Sequence, residues 1–164
     1  MRADEGFGLV ELMIAMVILN VGVLAIVAAF GSGGVTLQRA AATQTATSLA
    51  DKQMELYRAV RYVDISLDTQ SVTNADAGDA TYAAESPALQ VTALCSPVTP
   101  ACNPMQTISG AASPDNRSYR VDTFIVMQPT TNGRDVKRVT IVVRRSSPLQ
   151  TLARVTSVFD QSTG

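Results

Sequence analysis

Across residues 7–30 the chain reads FGLVELMIAMVILNVGVLAIVAAF, and Glu11 is the single charge in that run. A carboxylate inside a hydrocarbon segment is costly, so such residues are usually paired and functional. Glu11 is therefore expected to be paired, the alternative being that it reaches back to the lipid headgroups. Asn20 is the other strongly polar side chain of the run.

The remaining candidates for chemistry are few. The two cysteines, Cys95 and Cys102, flank a Pro-broken stretch, CSPVTPAC, which suits a small disulfide-closed loop outside the cytoplasm. A zinc site would need further ligands, and the chain contains no His. The absence of His also excludes His-based triads and proton shuttles, and neither a GxxxxGK loop nor a GxGxxG fingerprint is present. Asp76 and Asp79 sit in Ala-rich polar sequence and read as solubilising. No cofactor is expected, and the chain does not read as an enzyme.

With 13 Lys and Arg against 14 Asp and Glu, the charge balance gives no nucleic-acid footprint. Arg134, Lys137, Arg138, Arg144 and Arg145 do gather in one stretch. Spaced bases can contact phosphate, but protection of an edge strand by charge is the preferred reading.

The elements that must position Glu11 come next. Twenty-four residues at ~1.5 Å each make a helix of about 36 Å, enough to cross a hydrocarbon core of about 30 Å. Arg2 precedes this span and Arg39 is the first base after it, so counting positive charges does not orient it. The six preceding residues are too short for a domain, which leaves the C-terminal bulk as the part expected to cross. One processing route is an ordinary signal peptide cut after Val27-Ala28-Ala29. That route wants a basic n-region and an apolar stretch of about 7–15 residues, whereas MRADEG carries one base and two acids.

The other route follows from Gly6-Phe7-Gly8-Leu9-Val10-Glu11. This run resembles the cleavage and methylation motif of the type IV pilin and pseudopilin superfamily: a short polar leader ending in Gly, then Phe, a small residue, two aliphatics and Glu. The resemblance implies that a membrane peptidase cuts between Gly6 and Phe7 and methylates the new amine of Phe7. It also implies that Glu11, about 6 Å into the helix, pairs with the N-terminal amine of a neighbouring subunit. LADKQME at 49–55 is similar to a stretch common in minor pilins and pseudopilins. The Pro that major pilins often carry midway through this helix does not occur in 7–30.

Beyond the span, Gly31-Ser32-Gly33-Gly34 should weaken or break the helix, at about 1 kcal/mol per Gly relative to Ala. Residues 35–63 then read as an amphipathic helix. Ala42, Ala46, Leu49, Leu56, Val60 and Val63 form its apolar stripe, interrupted by Gln53. Arg39, Gln44, Thr47, Asp51, Glu55 and Arg58 form the wet side. Residues 65–114 read as a loop-rich connector, with a short strand possible at 88–94. Alternation then marks strands at 119–127, 136–145 and 152–159, with a turn at 128–135 containing Asn132-Gly133 and a break at Ser147-Pro148.

The expected fold class is therefore α+β: a long N-terminal helix, half membrane and half amphipathic, packed on a C-terminal antiparallel β-meander. The expected organisation is a leader at 1–6, a transmembrane assembly helix at 7–34 and an extracytoplasmic domain at 35–164. That domain divides into the helix at 35–63, a variable region at 64–115 and the meander at 116–164. The resemblance implies a minor pilin, structural subunit of a type IV pilus-like filament, first anchored in the cytoplasmic membrane and then carried at the cell surface. Its implied partners are other pilin subunits and the prepilin peptidase. A type II secretion pseudopilin is the alternative within the superfamily. A signal-anchored or secreted adhesive domain is the alternative outside it.

Overall fold

The computed structural model describes residues 8–76, 80, 90–128 and 135–161. Gly6 and Phe7 lie outside the described residues, as do Asp79, Arg134 and the Asn132-Gly133 turn. The chain divides into two compact units, Met1–Ala40 and Ala41–Gly164.

The first helix, α1, spans Leu9–Arg58. Of the weakening or break expected at the glycine cluster, the break does not occur: α1 runs through Gly31, Gly33 and Gly34 without interruption. Once a helix is nucleated, each added residue gains a hydrogen bond. The Ala-, Leu- and Val-rich turns on both sides of the cluster carry the helix across it. In the first unit every described side chain is exposed.

In the second unit, residues 41–58 of α1 bury one stripe: Ala42, Ala46, Ala50, Gln53, Met54 and Tyr57. Their spacing of three and four is that of a single helix face, and the three alanines permit close approach to the sheet. The stripe differs from the expected one at its end, where Leu56 and Val60 are half-buried and Val63 is exposed. The helix stops at Arg58, and a 3-10 turn at Tyr62–Asp64 redirects the chain. The residues assigned to the wet side are all exposed.

The sheet has four antiparallel strands in the order β3-β4-β5-β6: Met105–Ile108, Tyr119–Gln128, Val136–Ser146 and Leu149–Phe159. The last three are the expected meander. Val121 faces Val143, Thr123 faces Ile141 and Ile125 faces Val139 across β4 and β5. Val121, Ile125, Val139, Ile141 and Val143, with Tyr119, pack on Ala46, Ala50, Met54 and Tyr57 to make the main core.

The region read as connector contains more order than expected. β3 pairs with Tyr119–Asp122 of β4. A two-residue strand, β1 (Leu67–Asp68), runs parallel to β2 (Thr92–Ala93), and an eight-residue helix, α2, spans Thr69–Asp76. Asp68 starts α2 by accepting from the backbone N–H of Ser71 at 2.9 Å and from its hydroxyl at 2.7 Å, which satisfies an otherwise orphaned helix donor. Those bonds to Ser71, followed by one from the Cys95 N–H, hold the Asp68 carboxyl below its ordinary value. Ala75 of α2 packs on Phe124 and Val142, whose side chains lie on the sheet face opposite α1.

Candidate functional site: the amino-terminal helix

The carbonyl of Gly8 opens α1, accepting from the backbone N–H groups of Glu11 at 3.0 Å and Leu12 at 3.2 Å. Glu11 therefore falls in the first turn. There the unpaired N–H groups give the helix a positive end that favours a carboxylate. Gly8 has no side chain to crowd this turn, and a Cβ placed on it would meet nothing within 4 Å.

From this turn to Phe30 the helix is apolar on every side except at Asn20. Leu9 is 77% exposed, Phe30 is 79% exposed, and no residue in its most apolar stretch is buried. A helix apolar all round is stable only inside lipid or protein. Among the described residues no cation stands within ion-pairing distance of Glu11. A carboxylate in such surroundings can pair with a cation brought by a neighbour, and pairing fixes how far one helix slides along the next.

The cysteines stand at the edge of the second unit. Both are free thiols in this structure. The two groups are nevertheless neighbours: burial, then a hydrogen bond to Cys102, pushes the Cys95 thiol up to about 12. Proximity alone does not make the bond, since two thiols close only when an oxidant removes their hydrogens. The loop is pinned independently of that step. Asp68 accepts from Cys95 N–H at 3.2 Å, and its own N–H donates to Cys102 O at 2.8 Å.

Three features were missed in the sequence. Gln53 is part of the buried stripe: its amide donates to Pro100 O at 2.8 Å and accepts from Gln106 at 3.1 Å, joining α1 to the cysteine loop and β3. Lys137 is 5% exposed and donates to Tyr62 O at 2.7 Å and Ile65 O at 2.8 Å. On the face away from α1, buried Asp122 pairs with Arg120 at 2.7 Å and Arg144 at 3.1 Å. The one signal for that pairing was an acid placed two residues from a base in a strand, with another base, Arg144, opposite Arg120 on the next strand.

The basic stretch does not form one patch among the described residues. Lys137 and Arg145 lie on the α1 face of the sheet, whereas Arg138 and Arg144 lie on the opposite face. No cluster of metal-ligating side chains occurs among the described residues.

Residues 1–29 match the prokaryotic N-terminal methylation motif. This match indicates a type IV prepilin-like protein, and the long N-terminal helix followed by a four-stranded antiparallel sheet is an α+β fold consistent with a pilin-like one. The motif and the helix fit a membrane-anchored precursor that becomes part of a surface filament, and point to a structural protein, not an enzyme. No curated protein and no solved structure matches the chain.

Proposed function

We propose that the chain is a minor pilin. In this reading a prepilin peptidase removes residues 1–6, the amine of Phe7 is methylated, and the subunit enters a type IV pilus-like filament through α1. The mature side chains would then be formally neutral, since the leader accounts for the net charge of −1. The observation that carries the proposal is Glu11, the one charge of residues 7–30, placed in the first turn of a helix whose described side chains stay exposed from Leu9 to Phe30.

The apolar surface has to be covered in two settings. In the precursor lipid covers it; in the filament the helices of neighbours take the place of lipid. That exchange gains little hydrophobic energy, because side chain and lipid tail are equally apolar. A buried charge pair between Glu11 and a neighbour's Phe7 amine supplies the specificity that apolar contact lacks.

Mass spectrometry of sheared surface filaments tests the reading. A chain beginning at N-methylated Phe7 is expected. A chain beginning at Phe30 would mean signal-peptide cleavage and would overturn it. Recovery only when a secretion apparatus is overexpressed, and never in retractable pili, would move the chain to the secretion pseudopilins.

A further inference from the structure

We infer that the membrane-anchored precursor pairs with a second copy of itself, helix parallel to helix, through the face of α1 that carries Asn20. The pairing requires only membrane anchorage and goes beyond the minor-pilin reading.

Asn20 is the only side-chain hydrogen-bond donor of residues 7–30. It lies within about two residues of the middle of that run, roughly 3 Å along the axis, at the depth where water is scarcest. Because α1 is continuous here, its backbone N–H groups are already bonded within the helix. The amide oxygen of Asn20 therefore finds no free donor on its own helix, and its side chain is exposed. A polar group left unpaired at this depth is costly. Asn in such a helix bonds across to another one.

Depth, hydrogen bonding and charge together choose a second copy. All copies of a single-pass precursor enter in one orientation and to one depth, so two parallel helices bring Asn20 level with Asn20 without sliding. A carboxamide carries both donor and acceptor, so each satisfies the other. Charge then selects the face. Glu11 and Asn20 are nine residues apart, about two and a half turns at 3.6 residues per turn, and so lie on opposite sides of α1. Level copies meeting through Glu11 would set carboxylate against carboxylate, whereas copies meeting through Asn20 turn both carboxylates outward.

The residues around Asn20 suit such a seam. Met13, Asn20 and Val27 recur every seven residues, and Met16, Val23 and Phe30 follow each by three, which is the a and d spacing of a coiled coil. All six are exposed. A lone Asn at an a position fixes register and the number of strands. Lipid covers the apolar members of the seam as well as a partner does, so Asn20 supplies the preference for a partner. The contact proposed for the filament shifts neighbours by about 6 Å along the axis. One pair of copies cannot make both contacts, and the Asn20 pair belongs to the precursor.

The test places full-length precursor, labelled at its C-terminus with a donor or an acceptor fluorophore, in vesicles of phosphatidylethanolamine and phosphatidylglycerol and dilutes it with lipid. Energy transfer in wild type should persist to about threefold to thirtyfold lower protein density than in Asn20→Leu. Asn20→Gln, which keeps donor and acceptor, should stay near wild type. A benzophenone amino acid in place of Val27 should cross-link two copies on illumination, and in place of Ile18, on the Glu11 side, should not. Equal transfer in wild type and Asn20→Leu would overturn the pairing, as would an Asn20→Gln variant no better than Asn20→Leu. Cross-linking from Ile18 and not from Val27 would overturn the choice of face. In membranes of intact cells, cross-links from Val27 only to a different protein would overturn the choice of a second copy. None of these outcomes bears on the minor-pilin reading.

Discussion

Lys137→Met should loosen the second unit where the chain leaves α1. The ammonium donates to Tyr62 O at 2.7 Å and Ile65 O at 2.8 Å, and lies 4.7 Å from the centroid of the Tyr62 ring. It thus fastens the turn after α1 to β5. Methionine fills nearly the same space but donates nothing. Two charge-assisted bonds at about 1.5 kcal/mol each suggest a loss of about 3 kcal/mol. Relief from burying the charge returns about a third of that, leaving a net cost of about 2 kcal/mol. For a unit of this size the melting midpoint should fall by roughly 6–8 °C.

The pH dependence is a second readout of the same side chain. Burial first, opposed by Asp64, holds the Lys137 ammonium below its ordinary value of 10.5. Between the folded and unfolded values the unfolded chain binds more protons, so stability contributed by this group rises with pH across that window. The Met variant should lack the rise. Above about pH 10 the trend reverses, because burial pushes Tyr57 and Tyr119 up to about 12 and the folded state then holds more protons. The assay is near-ultraviolet circular dichroism of the full chain in micelles, melted at several pH values. A midpoint within 1 °C (approximately) of wild type, with the alkaline rise intact, would show that water serves those carbonyls as well as Lys137 does.

Asp122→Asn should destabilise the same unit by about 3 kcal/mol, because Arg120 and Arg144 would lose the charge they share on the buried face; an unchanged urea midpoint would contradict this. Cys95 and Cys102 should be joined in protein recovered from filaments without reductant, since the thiols already adjoin. Closing so short a loop contributes about 2–3 kcal/mol. Thiol labelling that modifies both residues in the unreduced, denatured chain would show that they stay reduced.

The meander was legible because Val139, Ile141 and Val143 keep strict alternation, and because the neighbouring strand places Phe124 and Val126 on its second face. Apolar residues on both faces announce a sheet covered on both sides, yet the second cover was not identifiable. α2 is made of TQSVTNAD, a composition as ordinary in loops as in helices. Only Asp68 with Ser71 three residues on marks its start. β3 escaped notice because four residues are too few for a period to declare itself. Gln53 looked like a flaw in the stripe, since partners such as Pro100 O and Gln106 become visible only when the chain has folded. The glycine cluster misled in the opposite direction, because propensity is local while helix propagation depends on both flanks. Glu11 needed no folding to be found: one charge in a long apolar run stands out in the bare sequence.

Glu11 also provides the most direct test of assembly through the amino-terminal helix. Glu11→Gln keeps the size and removes the charge, so membrane insertion becomes easier while attraction to a neighbour's amine is lost. A buried pair that loses one partner costs about 3–5 kcal/mol, and partial burial or relaxation lowers that figure. Even about 1.4 kcal/mol is a tenfold change in an equilibrium. Wild type and variant should be expressed side by side, leader removal confirmed in both by mass, and each quantified in sheared filaments. Equal processing and at least about tenfold lower recovery of the variant in filaments are expected. Equal recovery would show that Glu11 makes no assembly contact and only reaches the headgroups.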